Sequence, residues 1–428
     1  MQERTSWGTR LGFIFSTLGA AVGCGNLWRF PYLVGMHGGA VFLFAYLLIV
    51  AIIVYPIFTL EVALGRSTQL DPVGAYRSIA PGKPWFLAGY LNVGVALFWI
   101  FYLMPIFGWL AAYLLKFATG TFDGMSPPDI AAHFSEFLTH GNYIFALSMI
   151  MVVIAVLVAA LGVRNGLERA NNVFMPLLVV LLAILCIRGL TLPGAEAGLR
   201  FYLVPDFSKF TMQSLLAAMG QAFFSVGVAA GFGIVFGSYL PRDGSPVSSK
   251  TLIVCIGDTM IAFMAGLLIF PSIFSFGLEP NSGAGLLFVT LPNVFNNMPM
   301  GKLFAVMTVM LFLLAVITSQ IACMETVVCF MQDNFKISRK KGLVILVPVV
   351  TFFVYLNSVS GKVFDWFDWV TTNLLLCGGA LAMSIFIGWV WGIDRACDAA
   401  GITKHRWLWA LLIKYVSPIS IVVIWMTS

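Results

Sequence analysis

Two apolar stretches of this chain carry groups that hydrocarbon tolerates poorly. In the first, Gly19-Ala20-Ala21-Val22-Gly23-Cys24-Gly25 runs into Asn26 and, one turn later, Arg29. In the second, Gly220, Gly227, Gly231 and Gly233 punctuate a run that also holds Gln221 and Ser225. Glycine makes helix unwinding cheap, but carbonyls and amides freed inside a bilayer are costly unless they line a polar cavity. Unwound carbonyls suit a hard cation, and the amides of a half-helix N-terminus suit a carboxylate. The competing reading makes the glycines small-residue packing surfaces. An amide and a guanidinium one turn apart within an apolar run favour the cavity, because each needs a partner there. Catalytic chemistry has no comparable signal. His37, His133, His140 and His405 are scattered, and no cluster of His, Cys and carboxylates has catalytic spacing. The seven cysteines show neither zinc spacing nor a disulfide framework.

The elements that must position these groups are membrane spans. The 428 residues are 60% apolar and 10% charged, with mean hydropathy +0.96, more than a water-soluble surface can cover. A spanning helix takes about 20 apolar residues. Eleven such runs stand near 10–35, 40–64, 86–117, 142–162, 169–190, 213–239, 250–276, 302–332, 342–357, 363–392 and 406–426. The glycine-broken runs are the first helices of two five-span halves, 10–190 and 213–392, and 406–426 follows as helix 11 of one transporter domain, 1–428. Interrupted segments at matching places in two halves point to a midplane binding site, and an odd number of spans inverts the second half. Sixteen of the 24 Lys and Arg residues, among them Arg4, Arg10, Arg66, Arg164, Arg339 and Lys404, fall in loops on one side. That side is expected to be cytoplasmic, with the N-terminus inside and the C-terminus outside. The first run lacks a small-residue cleavage site and is expected to be retained. The +6 charge lies on loops facing anionic headgroups and calls for no nucleic acid.

The residues also carry a family resemblance. WGTRLGFIFSTLGAAVGCGNLWRFP at 7–31, GQAFFSVG at 220–227, GDTMIAFMAG at 257–266 and AVITSQIACMETVVCFMQD at 315–333 resemble the neurotransmitter:sodium symporter family over nearly the whole chain. The resemblance is to its bacterial amino-acid transporter branch and implies the leucine-transporter-like fold. The implied fold class is an all-α polytopic membrane protein of eleven transmembrane helices. Its 5+5 inverted repeat would have helices 1 and 6 unwound at mid-membrane. The implied function is sodium-coupled symport of a neutral amino acid by alternating access across a bacterial inner membrane. A non-transporting amino-acid sensor on the same scaffold is the alternative.

Carried over position by position, a first sodium is implied at the carbonyl of Ala21 with Asn26, Ser225, Asp258 and the substrate carboxylate. A second is implied at the carbonyls of Gly19, Val22 and Ala315 with the hydroxyls of Thr318 and Ser319; by themselves those hydroxyls would be read as bonding back to the preceding turn. Relatives commonly carry Asn at Asp258 beside a chloride. Here the chloride pocket maps to Tyr46, Gln221, Ser225, Asp258 and Ala262, so a carboxylate stands in for the anion and chloride-independent transport is expected. Gly23 occupies the position where amine-carrying relatives place an aspartate, which implies a substrate with its own carboxylate. That carboxylate would be held near Ala21, Ser225, the Gly25 amide and the Tyr102 hydroxyl, although the Tyr102–Trp109 spacing is one residue longer than the family pattern. Ala20, Cys24, Phe224, Gly227, Ala230, Ser319 and Cys323 would line the side-chain pocket. Several of them are small, which leaves room for a bulky apolar or aromatic side chain. The outer gate maps to Arg29 and Asp368 with Phe224 and Gln221, and the inner gate to Arg4 and Asp333 under Trp7. Gly166 and Pro176 offer a hinge in the fifth span. Glu61 is a candidate cap for backbone freed by the broken helices, and Glu325 receives no role.

Overall fold

A computed structural model describes residues 5–277 and 285–427. Among the described residues there are helices and connecting turns but no strands. We number the principal helices α1 (Arg10–Ala21), α2 (Gly25–Met36), α3 (Ala40–Thr68), α4 (Phe86–Thr119), α5 (Gly141–Ala160), α6 (Val163–Leu190), α7 (Met212–Val226), α8 (Phe232–Ser238), α9 (Val247–Ser275), α10 (Gly301–Phe335), α11 (Arg339–Val359), α12 (Gly361–Ala400) and α13 (Arg406–Met426). Among the described residues nine of these are long and apolar enough to cross a bilayer, and α1 with α2, bent by 54° at their break, pass the same test as a pair and make ten if they count as one span. The run expected as one span over 213–239 is two helices, α7 and α8, each too short to cross alone.

The outer helices present apolar side chains outward. Leu157 of α5, Ile187 of α6 and Val344 of α11 are 60%, 63% and 72% exposed, a cost in water and none in lipid. The broken elements sit at the centre, where every residue of α8 is buried. α4 packs along α10 to frame them.

The second break is built from backbone geometry. Gly227, Ala229 and Gly231 have φ of +67°, +65° and +83°, conformations that cost glycine little and alanine more. Ala229 is held there from both sides. Its N–H donates to Glu61 Oε2 (3.1 Å) and its carbonyl accepts from Asn92 Nδ2 (2.8 Å). Glu61 of α3 is therefore the cap that the sequence suggested. Other glycines nearby serve packing. A Cβ on Gly237 would lie 2.2 Å from the Val62 carbonyl oxygen, and one on Gly65 would lie 1.9 Å from that of Ile234, so α3 and α8 touch backbone to backbone. Both readings of the glycine cluster hold, at different glycines.

Candidate functional site

Where α1 stops, Val22 turns extended (φ −73°, ψ 112°) and α2 begins at Gly25. Asn26, fully buried, meets two residues from far along the chain. Its Nδ2 donates to Ser225 Oγ of α7 (2.9 Å), to the Asp258 carbonyl (3.2 Å) and to Asp258 Oδ1 of α9 (2.8 Å). Ser225 Oγ donates to Asp258 Oδ2 (2.8 Å) and accepts from the Tyr46 hydroxyl (3.2 Å). Gln221 Nε2 donates to the Gly25 carbonyl (2.8 Å), tying α7 to the first turn of α2. Gln221 thus braces the broken helix and makes no hydrogen bond to Arg29. A carboxylate, a hydroxyl and a side-chain amide, all buried, thus meet at one helix break, and oxygens of these kinds are what a hard cation takes.

A second group lies on the other side of α1. Thr318 Oγ1 donates to the Ala315 carbonyl (3.0 Å), as does Ser319 Oγ (3.0 Å). The back-bonding expected of isolated hydroxyls is present, and it leaves their lone pairs free. Against Gly19 stands Asn171 of α6, which the sequence reading did not single out. A Cβ on Gly19 would lie 2.3 Å from Asn171 Oδ1 and 3.1 Å from Thr318 Cβ. Asn171 Nδ2 is engaged by the Leu167 carbonyl (2.9 Å), whereas its buried Oδ1 has no hydrogen-bond partner.

Between these groups is a cavity of about 30 Å³ lined by Ala20, Ala21, Gly23, Cys24, Gly25, Trp99, Leu103, Phe224, Ser225, Gly227, Ser319, Gln320 and Cys323. That volume admits about two water molecules. Two sequence expectations are corrected. Tyr102 is absent from the lining and instead packs edge-on against Phe364 (5.5 Å). Leu103 and Trp99, four residues apart on one stripe of α4, face the cavity. One position along a helix turns a side chain by about 100°, and the extra residue between Tyr102 and Trp109 has that effect. Ala230 sits within the turn between α7 and α8, its N–H on the Gly227 carbonyl (3.1 Å), and does not reach the cavity. Trp99, Leu103 and Gln320 were all missed, and Trp99 packs edge-on against Phe224 (5.5 Å).

The family model described as the sodium:neurotransmitter symporter family matches residues 4–124 and 130–428. The chain belongs to this family. It is a sodium-coupled membrane symporter and not an enzyme. A sodium-dependent transporter of Bacillus subtilis (strain 168), YhdH, is 33% identical, with 99% of this chain and 98% of that protein aligned. The mouse sodium- and chloride-dependent GABA transporter 2 is 28% identical over 92% of this chain and 74% of its own length. The crystal structure of MhsT in complex with L-phenylalanine superposes with a TM-score of 0.91 at 34% identity, covering 99% of both chains.

The two ends of the symporter's site differ. At one, Arg29 lies over the Phe224 ring (4.7 Å). Asp368 has Arg29 and Tyr102 as its neighbours, but Arg29 and Asp368 are not in ion-pair contact. A cavity of about 300 Å³ opens beside Arg29, lined also by His37, Gln213, Phe223, Thr372 and Cys377. At the other end the structure is packed shut. Trp7 donates its indole N–H to the Phe236 carbonyl of α8 (3.0 Å) and is ringed by Phe13, Phe236 and Tyr239. Arg4, the expected partner of Asp333, lies outside the described residues. Asp333 accepts the Asp71 N–H (2.8 Å). In the buried Asp71, burial and then the Asp333 charge push the carboxyl up to about 6.

Two further carboxylates act at this end, Glu168, which the sequence reading did not single out, and Glu325, to which it gave no role. Glu168 accepts the Gly8 and Thr9 amides (2.8 and 3.1 Å), clasping the start of α1 to the start of α6. Glu325 forms a two-point pair with Arg339 (2.6 and 2.7 Å) and accepts the Tyr239 hydroxyl (2.7 Å). Gly166 and Pro176 both lie inside the helical run of α6, and a Cβ on Gly166 would fall 2.1 Å from the Val158 carbonyl oxygen, so close packing requires glycine there.

Proposed function

We propose that this protein carries a neutral amino acid into the cell by alternating access, coupled to two sodium ions and independent of chloride. The observation that carries the reading is the meeting of Asn26, Ser225 and Asp258 at the helix break, from positions 199 and 232 residues apart. The first ion would take the Ala21 carbonyl with those three side chains and the substrate carboxylate. Asn26 would turn its amide so that oxygen, and not N–H, faces Asp258. Because the ion and the substrate carboxylate share a site, each stabilises the state that the other binds, which is the origin of coupling. The Asp258 carboxylate supplies the negative charge that a chloride would otherwise bring, and Ala262 offers an anion neither hydroxyl nor cation. The second ion would take the carbonyls of Gly19, Val22 and Ala315 and the hydroxyls of Thr318 and Ser319, with the unpaired Asn171 oxygen as an added ligand from α6.

Counting α7 and α8 as one broken crossing gives eleven spans in a 5+5 inverted repeat followed by α13. The basic loops put the N-terminus in the cytoplasm and the C-terminus outside, in a bacterial inner membrane. The closed Trp7 end is then the cytoplasmic one. Its opening would loosen α6 at Gly166 and Pro176 and release the Glu168 clasp on α1, while Arg29, Asp368 and Phe224 form the outer lid. Gly23 and Gly25 leave room for the substrate carboxylate. The small lining residues, and the phenylalanine bound by the similar MhsT, favour an apolar or aromatic side chain; Trp99 limits its size.

The test is uptake into proteoliposomes of a pooled set of labelled amino acids, with an inward sodium gradient or with potassium, in chloride or gluconate. Sodium-driven accumulation that is equal in both anions is expected. Binding without accumulation would make the protein a sensor, and an absolute chloride requirement would overturn the role given to Asp258.

A further inference from the structure

Gln320 is fully buried, lines the cavity between the broken helices, and has neither its amide N–H₂ nor its carbonyl oxygen paired. It follows Ser319 on α10, and both residues line this cavity. Trp99, across the cavity, has its indole N–H buried and unpaired as well. The other groups around them are apolar or already engaged. Leu103, Phe224, Ala20 and Cys323 form no strong hydrogen bonds through their side chains, and Ser319 donates to the Ala315 carbonyl.

Buried amides almost always find partners, and one left with none is a cost the fold sustains only where something else completes it. Water can complete it while the site is empty. A substrate then displaces that water, and a side chain unable to reproduce its hydrogen bonds leaves Gln320 stranded. No charged side chain lines the cavity, so the missing group is uncharged.

We infer that Gln320, assisted by the Trp99 indole, selects substrates whose side chain carries an uncharged hydrogen-bonding group, a hydroxyl or carboxamide, over apolar isosteres of the same size. This rests on the amino-acid symport reading and revises its side-chain preference, from wholly apolar to apolar or aromatic with one polar tip. A purely apolar substrate fills the pocket but not the amide, and an aromatic one fits better with a hydroxyl than without. A site built around a hydrogen bond discriminates against the analogue lacking it far more strongly than an apolar pocket discriminates by size.

The experiment is competition in sodium-loaded proteoliposomes between isosteric pairs: threonine against valine, tyrosine against phenylalanine, and glutamine against methionine. In the native protein the polar member of the best-bound pair should compete at concentrations at least about tenfold lower. Gln320→Leu should bring that ratio below about threefold, chiefly by weakening the polar member. Retained sodium-dependent binding of the apolar member shows that the variant is folded. Trp99→Phe, which keeps an aromatic ring and loses the N–H, should lower the ratio by a smaller factor. Equal or tighter binding of the apolar member by the native protein overturns the inference alone, as does an unchanged ratio in Gln320→Leu. Failure of every amino acid to compete in a sodium-dependent way overturns the symport reading and this inference with it.

Discussion

Replacing Asp258 by asparagine isolates the charge at the first cation position. Asparagine keeps the size and one carbonyl oxygen. It still accepts from Asn26 or Ser225, each of which now bonds Asp258 at 2.8 Å. What it loses is a full negative charge in a position with no solvent exposure. At about 4 Å and an effective dielectric near 20, opposite unit charges attract by about 4 kcal/mol, roughly a thousandfold in binding. The neutral amide is cheaper to desolvate and returns part of this, so a loss of about a hundredfold in sodium affinity is the expected result. Sodium titrations in gluconate, with choline holding ionic strength and intrinsic tryptophan fluorescence as readout, measure it directly. A thermal melt without sodium confirms the fold. Chloride should partly restore sodium binding in Asp258→Asn while leaving the native protein unaffected. An unchanged half-saturating sodium concentration in the variant would refute the assignment of the compensating charge to Asp258.

Four other perturbations test separate parts of the argument. Asp71 titrates near 6 in the fold against 3.8 ordinarily, so its contribution to stability is complete below about pH 4 and is lost as pH rises through 6, a fall of about 3 kcal/mol. Asp71→Asn should flatten the melting temperature over that interval, and an identical pH profile for variant and native protein would exclude the burial argument. Glu61→Ala leaves the Ala229 amide unpaired and should lower stability by about 1.5–3 kcal/mol, while Glu61→Gln should lose less, both read from detergent melts. Gly65→Ala drives a methyl into the Ile234 carbonyl, 1.9 Å away; because neither backbone can yield, a loss of about 3 kcal/mol or more and poor membrane yield are expected. Asn171→Leu should weaken sodium-dependent stabilisation about tenfold without moving the sodium-free melt, and a variant with native sodium response would remove Asn171 from the second site.

The apolar runs and the glycine clusters were legible in the sequence because their physics is local. A stretch of about 20 apolar residues has one low-energy place to be, and a Gly-rich stretch makes a helix break cheap. Asn26, Arg29 and Glu61 were legible for a related reason: polar groups inside such runs need partners, and the chain declares the need even when it does not name the partner. The grouping of Asn26 with Ser225 and Asp258 came from resemblance, and the fold brings those three together. The sequence left open which glycine does what. Gly227 and Gly231 turn the backbone, whereas Gly65 and Gly237 admit a neighbouring carbonyl, and nothing in the letters separates the two uses.

Tertiary structure alone decided the inner surface of the cavity. Tyr102 and Leu103 differ by one position, yet the 100° turn between them sends the tyrosine toward Phe364 and the leucine, with Trp99, toward the cavity. Gln320, Asn171 and Glu168 read as ordinary polar residues of helices or helix ends. Their significance lies in what faces them: a cavity, Gly19 of α1, and two backbone amides at the start of α1. Whether a buried polar atom has a partner is a property of two surfaces brought together, and a sequence describes only one at a time.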